Sequence, residues 1–416
     1  MTTTRYAVVG GGIVGASVAY HLSERTDDTV VVYERDGLAT ETTFKSTSMV
    51  GVGGPDPHYR MKQYGFRLYN EFLADPESNA EYTQSGRLRV AVDDENAARL
   101  EHLDAGEHPT RSDEEWRGVD ARKFAHDLTT YVPGDELRET LVVPPLDTDA
   151  VAGALYRPMY GHIRSDDRTL GPRELALEFV ERARDDGVTF ETGAEVTGIE
   201  TAPGGNQVTG VEIGGSGVDG DEARVEPADA VVCAAGPWNA ELAATAGIDL
   251  PIEHTLSPVY ALELDEPLPY TLPTIKSHES SVGLHRKRDD RILVTYTPSE
   301  DEGQTRYELD AIGEAELDAF RETALEWAER LVPRLADAIL ADEWVGVGTS
   351  TPDGNPIVGW TEVEGLSLAA TMIGIQLAPA VGEIVSRQLV DGEQTDYYDA
   401  VSISRFDDYT DVFEGR

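Results

Sequence analysis

The sequence predicts an α/β fold in which a domain built on a parallel sheet is interrupted by strand-rich segments. Two short apolar runs, residues 6–9 (YAVV) and 29–33 (TVVVY), predict buried strands. Residues 14–22 between them place small and apolar side chains at helical spacing, so the chain opens with a strand–helix–strand unit. A strand at 366–370 and a helix at 379–389 fit the same domain, which we therefore expect to be discontinuous in sequence.

The segments between these two ends supply further strands and helices. Strands are predicted at residues 87–92, 188–191, 195–200, 230–234, 256–264 and 291–297. Helices are predicted at residues 58–75, 173–184 and 314–335, the last weakened near its end by Pro333. Residues 104–150 are acidic and contain several prolines, which predicts irregular surface segments. Residues 204–221 are rich in glycine and Asp, which predicts a hairpin or a loop.

The charge of the chain is strongly negative. Asp and Glu total 78 against 34 Lys and Arg, which gives a formal net charge of −44. The acidic residues are spread along the whole chain, a pattern that favours a solvated surface suited to molar salt over a dedicated patch for a cationic partner. This interpretation predicts lower stability in dilute buffer than in molar KCl, and equal thermal midpoints would contradict it. Nucleic-acid binding is not expected, because an acidic surface repels phosphate.

The remaining bulk features predict a cytoplasmic protein without a metal centre. No apolar run is long enough to predict a membrane span, and residues 1–6 do not have the order of segments that a signal peptide requires. Cys233 is the single cysteine, which excludes an intramolecular disulfide and a cysteine-based metal cluster. No metal ligand set is predicted.

The strongest local motif is the G-x-G-x-x-G at residues 10–15 (GGGIVG). It follows a predicted strand and opens a predicted helix, which is the context that dinucleotide binding requires. Gly10 makes the tight turn, Gly12 lets the backbone approach a pyrophosphate, and Gly15 lets helix and strand pack closely. Glu34 ends the next strand, where a carboxylate binds ribose hydroxyls and disfavours the extra phosphate of NADP. The motif does not distinguish FAD from NAD.

Further segments along the chain carry a family resemblance. They are residues 42–49 (TTFKSTSM), 187–196 (GVTFETGAEV), 228–238 (ADAVVCAAGPW), 351–359 (TPDGNPIVG) and 374–382 (GIQLAPAVG). Together with the opening motif, and in this order, they resemble the FAD-dependent family that includes D-amino acid oxidase, glycine oxidase and the sarcosine and dimethylglycine enzymes. The resemblance is spread over most of the chain.

This resemblance implies an α/β plus α+β architecture with two domains. A discontinuous Rossmann-type FAD-binding domain would comprise residues 1–55, 155–245 and 340–416. A substrate domain, residues 56–154 and 246–339, would place an antiparallel sheet over the flavin. The implied chemistry is oxidation of the C–N bond of a small amine or amino acid by hydride transfer to flavin N5, with oxygen or a carrier as electron acceptor.

The motif and the resemblance together imply a set of FAD-binding residues, drawn from every matching segment. They are Gly10, Gly12, Ile13, Val14, Gly15, Glu34, Arg35, Thr42, Thr43, Ser46, Thr47, Ser48, Val196, Ala235, Gly236, Trp238, Gly348, Gly374, Ile375 and Gln376. Val196 corresponds to the family's valine beside the adenine.

The sequence departs from the family where relatives bind the substrate carboxylate. Gly348 stands where the D-amino acid and glycine enzymes have an arginine, and Met372 matches another arginine of glycine oxidase. Gln376 replaces a lysine of the sarcosine branch. The carboxylate site is therefore absent, moved or not needed. Arg60 and Arg286 are candidate substitutes, since arginine binds carboxylates in bidentate fashion, although surface ion pairing explains either one as well.

Four residues are candidates for the catalytic pocket. His285 aligns with the strand that faces the flavin and would orient substrate, or it is a histidine facing solvent. Tyr260 is a pocket wall or a core residue. Lys45 stands where some relatives bond a histidine to the flavin, which predicts non-covalent FAD, and it lies beside the flavin or in solvent. Gln376 completes the set.

Two alternative functions remain open from the sequence. One is a FAD-dependent 2-hydroxy acid oxidoreductase, and the other is a non-catalytic FAD-binding subunit of a larger complex. The sequence leaves the exact substrate, the electron acceptor and the oligomeric state undetermined.

Overall fold

The computed structural model describes the chain in nine stretches. They are residues 3–53, 57–76, 78–104, 129–140, 146–165, 171–215, 223–268, 272–297 and 314–406. Helices α1 to α8 span, in chain order, Ile13–Ser23, His58–Phe72, Asp94–Asp104, Gly134–Thr140, Pro172–Asp185, Asn239–Thr245, Glu314–Leu331 and Gly374–Asp391. Within these stretches, no helix combines the length and the apolar composition that a membrane crossing needs.

Strands make up four sheets in the described part of the chain. Strands β1 to β20 span, in chain order, Arg5–Val9, Thr29–Glu34, Met49–Gly51, Ala80–Gln84, Arg87–Ala91, Thr130–Pro133, Gly153–Arg157, Tyr160–Ser165, Thr189–Thr192, Val196–Thr201, Val208–Ile213, Arg224–Pro227, Ala230–Cys233, Glu253–Glu263, Thr274–Ser277, Gly283–Arg288, Arg291–Thr295, Ile339–Ser350, Ile357–Trp360 and Leu366–Ala370.

The first sheet is the parallel sheet that the opening strands predict. Its order is β19-β20-β13-β1-β2-β9, and all neighbouring pairs are parallel except β19 with β20. Strand β1 lies in the middle, so that Ala7 pairs with Val31 on one side and Val231 on the other. The inner strands β20, β13, β1 and β2 are mainly apolar because helices and a second sheet layer cover both of their faces, whereas the edge strand β9 is partly exposed.

The second sheet has eight strands in the order β18-β14-β17-β16-β15-β5-β7-β6. Every pair is antiparallel except β15 with β5, which run parallel. Because side chains alternate along a strand, each face has its own composition. One face carries Leu88, Val90, Ile275 and Leu284, which form a core with Ala328 of α7. The opposite face carries the polar residues described below.

Two three-stranded antiparallel sheets complete the fold. The sheet β3-β8-β4 joins the loop after β2 to the middle of the chain, because Met49 pairs with His162. The sheet β10-β11-β12 packs beside the parallel sheet, where Ile199 and Val211 enter the core. The fold thus brings four sheets around the carboxyl ends of the parallel strands.

The structure confirms the predicted strand at each predicted place and the hairpin in the described part of residues 204–221, and it corrects two details. Residues 104–150 are not wholly irregular: β6 and α4 lie there, with Leu137 buried, while 105–128 and 141–145 fall outside the described residues. Strand β11 occupies part of the 204–221 segment and forms a hairpin with β10. The predicted helix at 314–335 ends at Leu331 and is followed by a short 3-10 helix.

Helix α8 begins earlier than the sequence pattern indicated, since Gly374 rather than Pro379 is its first residue. Proline has no N–H, so Pro379 cannot donate to the carbonyl four residues earlier. That carbonyl, of Ile375, instead accepts a hydrogen bond from the Tyr69 hydroxyl at 2.5 Å. The tyrosine satisfies the group that the proline leaves open, so the helix continues through it.

The strands distribute differently from the sequence-based domain division at two places. Strand β18, assigned by that division to the FAD-binding domain, pairs with β14 in the eight-stranded sheet. Strand β7, which the division splits near residue 155, also belongs to this sheet. The division itself remains a prediction, and by hydrogen bonding both strands go with the sheet expected over the flavin.

Candidate functional site

A cavity of about 560 Å³ lies at the carboxyl ends of the parallel strands. Its wall includes Val9 and Glu34, which end β1 and β2, and Ala234 and Thr371, which follow β13 and β20. In open α/β sheets ligands bind at this edge, where the strand order reverses. The volume falls in the range of cofactor and substrate sites.

The glycine turn forms the floor of this cavity. Gly10 has φ +110°, and a Cβ there would lie 2.5 Å from the carbonyl oxygen of Ala234. A Cβ on Gly15 would lie 1.9 Å from the carbonyl oxygen of Gly10, so helix and strand touch through backbone alone. At Gly12 the nearest atom is Thr43 Oγ1, at 3.2 Å, so a side chain there would occupy space open to a ligand. The three glycines thus have the separate roles that the motif predicts.

The N-terminus of α1 faces the same cavity. Gly12 caps the helix without any side-chain cap of its own, and no acidic residue lies in the first turn. The N–H of Ile13 donates to Thr43 Oγ1 at 3.0 Å, which fixes the loop after β2 against the helix. Free N–H groups and the helix dipole make such an end a site for phosphate.

Glu34 is held in place by backbone amides at one side of the cavity. Its Oε2 accepts from the N–H of Gly11 at 2.7 Å, and its Oε1 accepts from the N–H of Asp36 at 2.9 Å. The guanidinium of Arg35 stacks 3.8 Å above the Trp238 ring, and both side chains are in the wall. This end offers a carboxylate for hydroxyl groups and an aromatic surface.

The other end of the cavity is closed by segments from two sheets and α8. Val347 and Thr349 come from β18, Met49 from β3, and Gln376 from the first turn of α8. The Gln376 side chain is buried, and its Oε1 has no hydrogen-bond partner. Buried polar atoms are nearly always paired, so this oxygen is a place for a donor on a bound molecule.

Most of the sequence-predicted FAD residues line this one cavity. They are Gly10, Gly12, Ile13, Val14, Glu34, Arg35, Thr42, Thr43, Ser46, Thr47, Val196, Ala235, Gly236, Trp238, Gly374, Ile375 and Gln376. Three others lie outside its wall. Gly15 packs behind the turn, Ser48 is fully buried at φ +59°, and Gly348 faces Thr255 of β14.

His285 and Tyr260, both catalytic candidates, lie on opposite faces of the eight-stranded sheet. Val294 of β17 pairs with Tyr260 on one side and Leu284 on the other, so these three share one face. His285 pairs with Leu293 and therefore points to the other face. Tyr260 belongs to the core beneath the sheet, where burial raises the pKa of its hydroxyl to about 12. The structure supports only its core interpretation.

Lys45 is not in the cavity wall, although its ion-pair partner Glu41 is. Its Nζ lies 3.0 Å from Glu41 Oε2, one turn earlier in the loop. Its carbonyl oxygen accepts from Trp344 Nε1 at 3.0 Å, which ties the loop to β18. The two arginines that the sequence offers as candidate carboxylate-binding residues also have partners. Arg60 lies over the Tyr397 ring, and Arg286 pairs with Asp289.

His285 forms a buried pair with a histidine that the sequence did not single out. His162 Nε2 lies 3.4 Å from His285 Nδ1, and the two rings meet edge to face. Burial, with the charges of Arg87 and Lys276, lowers the pKa of His285 to about 3. Burial and the neighbouring His285 also lower the pKa of His162. Both imidazoles are therefore neutral at neutral pH.

Four cations cluster on the same face as His285. This cationic patch consists of Arg87 and Arg89 on β5, Arg157 on β7 and Lys276 on β15. Arg87 pairs with Arg157 across the antiparallel strands, and Arg89 pairs with Lys276 across the parallel ones. The alternation in residues 87–92 did indicate that both arginines share a face, but nothing local indicated what that face meets.

Metal chemistry has no support from the arrangement of side chains. In the part of the chain that the structure describes, no group of three His, Cys, Asp or Glu residues is placed to hold a metal ion. Cys233 is the buried last residue of β13, and burial raises the pKa of its thiol to about 12. A thiol in that state is a core residue and not a nucleophile.

Comparison with protein families and curated proteins gives a consistent picture. The profile of the family described as "DAO: FAD dependent oxidoreductase" matches residues 5–388. The chain is 27% identical to 4-methylaminobutanoate oxidase (formaldehyde-forming) of Paenarthrobacter nicotinovorans, over 97% of this chain and 46% of that protein. It is 26% identical to the mitochondrial dimethylglycine dehydrogenase of Rattus norvegicus, over 93% of this chain and 43% of that protein. The chain thus spans about half the length of these two relatives.

Full-length similarity is found with shorter proteins. Glycine oxidase of Geobacillus kaustophilus (strain HTA426) is 26% identical, over 94% of this chain and 95% of that protein. Among solved structures, L-proline dehydrogenase from P. horikoshii has a TM-score of 0.74 at 22% identity, over 97% of this chain and 98% of that chain. Glycine oxidase from Geobacillus kaustophilus also has a TM-score of 0.74 at 22% identity, over 97% and 99%. At these identities the structural matches show a shared fold.

Proposed function

The chain belongs to the DAO family of FAD-dependent oxidoreductases, and on that premise we propose that it oxidises the C–N bond of a small amine or amino acid. The observation that carries the proposal is the single cavity that runs from the glycine turn and Glu34 to Gln376 and Met49. One end has the groups that bind a dinucleotide, and the other is bounded by Val347 and Thr349 of the eight-stranded sheet and by Gln376. Relatives named for methylaminobutanoate, dimethylglycine and glycine support the substrate class.

The residues of the cavity fit FAD. The N-terminus of α1 and Gly12 would bind the pyrophosphate, and Glu34 would bind the ribose hydroxyls. The unpaired Gln376 Oε1 would accept a hydrogen bond from the isoalloxazine end. When bound, FAD supplies the acceptor for the hydride released from the carbon beside the substrate nitrogen.

The residues above this end would control the protonation of the substrate. An amine must be neutral to give up hydride, and a nearby cation disfavours its protonated form. Burial, together with the charges of Arg87 and Lys276, keeps His285 neutral. We infer that the neutral His285 and His162 offer hydrogen bonds to the neutral amine.

The FAD is proposed to be held without a covalent bond. No histidine or cysteine is among the described residues of the cavity wall, and Lys45 occupies the place of the flavin-linked histidine of some relatives. Acid precipitation of the protein is expected to release all flavin into the supernatant. Yellow colour that stays with the washed pellet would contradict the proposal.

The function is tested by the visible spectrum of protein purified in molar KCl. Under anaerobic conditions, sarcosine, dimethylglycine, 4-methylaminobutanoate, glycine, proline and D-alanine are added in turn. Loss of the flavin band near 450 nm with at least one amine is the expected result. Bleaching by lactate or another 2-hydroxy acid but by no amine would overturn the proposal.

Two further readings of the same experiment sharpen the assignment. Return of colour on admitting air identifies an oxidase, whereas return only with an added electron carrier identifies a dehydrogenase. No bleaching by any donor, together with stable co-purification of another chain, would replace the proposal by a FAD-binding subunit.

A further inference from the structure

We propose that Arg87, Arg89, Arg157 and Lys276 form a binding subsite for two carboxylates remote from the oxidised C–N bond, so that the substrate is an amine with two acidic groups. The inference rests on the proposed amine oxidation for the identity of the substrate but not for the existence of the subsite. It also supplies the carboxylate site that the sequence shows to be missing at Gly348 and Met372.

The first observation is the charge balance of the patch. Elsewhere in this acidic chain arginines pair with carboxylates, as Arg182 does with Glu178 and Arg321 with Glu343. Among the described residues, none of the four patch cations has a carboxylate within ion-pair distance; Arg87 instead lies over the Tyr160 ring, 5.5 Å from its centroid. In a protein with 78 acidic residues, four neighbouring cations without counter-ions require an explanation.

The second observation is that these cations are partly withdrawn from water. All four side chains are half-buried, and the Nε atoms of Arg89 and Arg157 are buried without a hydrogen-bond partner. Burial, with the charges of Arg87 and Arg89, lowers the pKa of Lys276 to about 8. The patch thus carries a cost that a bound anion would remove, since charge-assisted hydrogen bonds to guanidinium are strong.

One carboxylate does act on the patch, but its oxygens are already in use. Glu279 counteracts the lowered pKa of Arg89 through its charge. Its Oε1 accepts from the N–H of Val92 at 2.7 Å, and its Oε2 accepts from Ser277 Oγ at 3.2 Å. It therefore tempers the repulsion among the cations without forming an ion pair.

The third observation connects the patch to the cavity. Met49 is in the cavity wall, and it pairs directly with His162 between β3 and β8, which puts both side chains on one face. The Oγ1 of Thr274 lies 3.3 Å from His162 Nε2. Thr274, on β15 of the eight-stranded sheet, pairs with Arg87 on the neighbouring strand β5. Two strand pairings and one side-chain hydrogen bond thus link Met49, in the wall of the cavity, to Arg87 in the patch.

A ligand with two carboxylates matches this arrangement better than one with a single carboxylate. One carboxylate neutralises one of four positive charges and leaves the rest repelling one another. The rows Arg87–Arg157 and Arg89–Lys276 lie about 5–7 Å apart along β5, which is the span of two carboxylates on a short carbon chain. Each row offers donors to one of them.

The test measures binding of anions that cannot be oxidised, using the flavin-loaded protein in molar KCl. Thermal midpoints are recorded against increasing succinate, glutarate, propionate and inorganic phosphate, for the unmodified chain, Arg89→Met and Lys276→Met. Arg387→Gln is the matched control, since Arg387 is a partly exposed cation on α8 that already pairs with Glu393. Succinate or glutarate is expected to raise the midpoint, to bind about tenfold tighter than propionate, and to bind about tenfold weaker to each Met variant.

The outcomes separate this proposal from the proposed function. Equal dicarboxylate affinity in the Met variants and in Arg387→Gln would overturn the subsite, even if amines bleach the flavin. Phosphate binding tighter than either dicarboxylate would overturn its assignment to carboxylates. Loss of dicarboxylate binding in both Met variants would uphold the subsite even if no amine bleaches the flavin. An N-methyl amino dicarboxylate is then expected to have a lower KM than sarcosine, and only in the unmodified chain.

Discussion

The two large sheets enclose the site from opposite sides and contribute to it in different ways. The parallel sheet contributes backbone: glycines that approach closely, a helix N-terminus, and Glu34 fixed by two amides. The eight-stranded sheet contributes side chains: a neutral histidine pair and four cations on one face. The parallel sheet therefore has little freedom for substitution. The histidine-bearing face of the larger sheet holds charges that lower the free energy of unfolding until a ligand binds.

The strongest contrast is expected from one methyl group placed in α1, where it packs on the parallel sheet, and one placed in the larger sheet. Gly15→Ala puts a Cβ 1.9 Å from the Gly10 carbonyl oxygen, and neither backbone segment can move away freely. We expect a loss of at least about 3 kcal/mol in the free energy of unfolding and purification without flavin. Gly346→Ala in β18 is the control, because its Cβ would find its nearest neighbour at an ordinary 3.4 Å. Urea denaturation and flavin content measure both, and equal losses would contradict the contrast.

Removing a charge from the larger sheet is expected to raise the free energy of unfolding, whereas Gly15→Ala lowers it. The pKa of Lys276 is lowered from 10.5 to about 8, so its charged form is disfavoured by folding. Between pH 8 and 10.5 the unfolded chain binds the extra proton, and stability rises with pH over this window. Lys276→Met should therefore be more stable than the unmodified chain at pH 7, by up to about 3 kcal/mol.

The pH dependence makes this prediction specific. The gap between Lys276→Met and the unmodified chain should close as the pH rises from 8 to 10, in denaturation series at constant molar KCl. Lys45→Met, which removes a lysine paired with Glu41 in a loop outside this sheet, is the matched control. If the difference in stability between Lys276→Met and the unmodified chain does not change with pH, the pKa of Lys276 is not lowered by burial and neighbouring cations.

The histidine pair predicts acid sensitivity of the same sheet. His285 has its pKa lowered from 6.5 to about 3, so stability is complete above pH 6.5 and falls as the pH drops towards 3. At pH 5 the loss from this one residue is about 2 kcal/mol. His285→Gln should remove that part of the slope between pH 7 and 4. The exposed His102 on α3 is the control, and an equal change of slope in His102→Gln would refute the assignment.

The sequence predicted the parallel sheet well because its signals are local. The run at 6–9, the glycine turn and Glu34 lie within 34 residues, and each pattern has one structural meaning. The cavity wall could be predicted from the same segments and from the resemblance. The start of α8 was predicted too late, at Pro379, because proline is tolerated in the first turn of a helix but not normally in its interior. The hydrogen bond from Tyr69 that allows an interior proline comes from a distant part of the chain.

The polar face of the larger sheet could not be predicted from the sequence. Its cations come from three strands that pair only through long-range register, with β5 next to β15 and β7. His285 was found by resemblance, but its partner His162 belongs to a strand that no pattern singled out. Tyr260 was misplaced as a pocket candidate because the side of the sheet it faces depends on its pairing with Val294.

The smallest effect is expected from removing the charge of Glu34, at the end of β2 in the parallel sheet. Glu34→Gln keeps an oxygen that can accept from Gly11 N–H, but it loses the charge that strengthens this bond and the bonds to ribose hydroxyls. The fold should therefore change by no more than about 1 kcal/mol. The Kd for FAD should rise about tenfold, measured by flavin fluorescence during reconstitution of the apoprotein. Glu364→Gln, an exposed residue away from the cavity, is the control. If the two variants bind FAD equally well, the parallel sheet holds its ligand through the glycine turn and helix N-terminus alone, and the contrast with the side-chain chemistry of the larger sheet becomes complete.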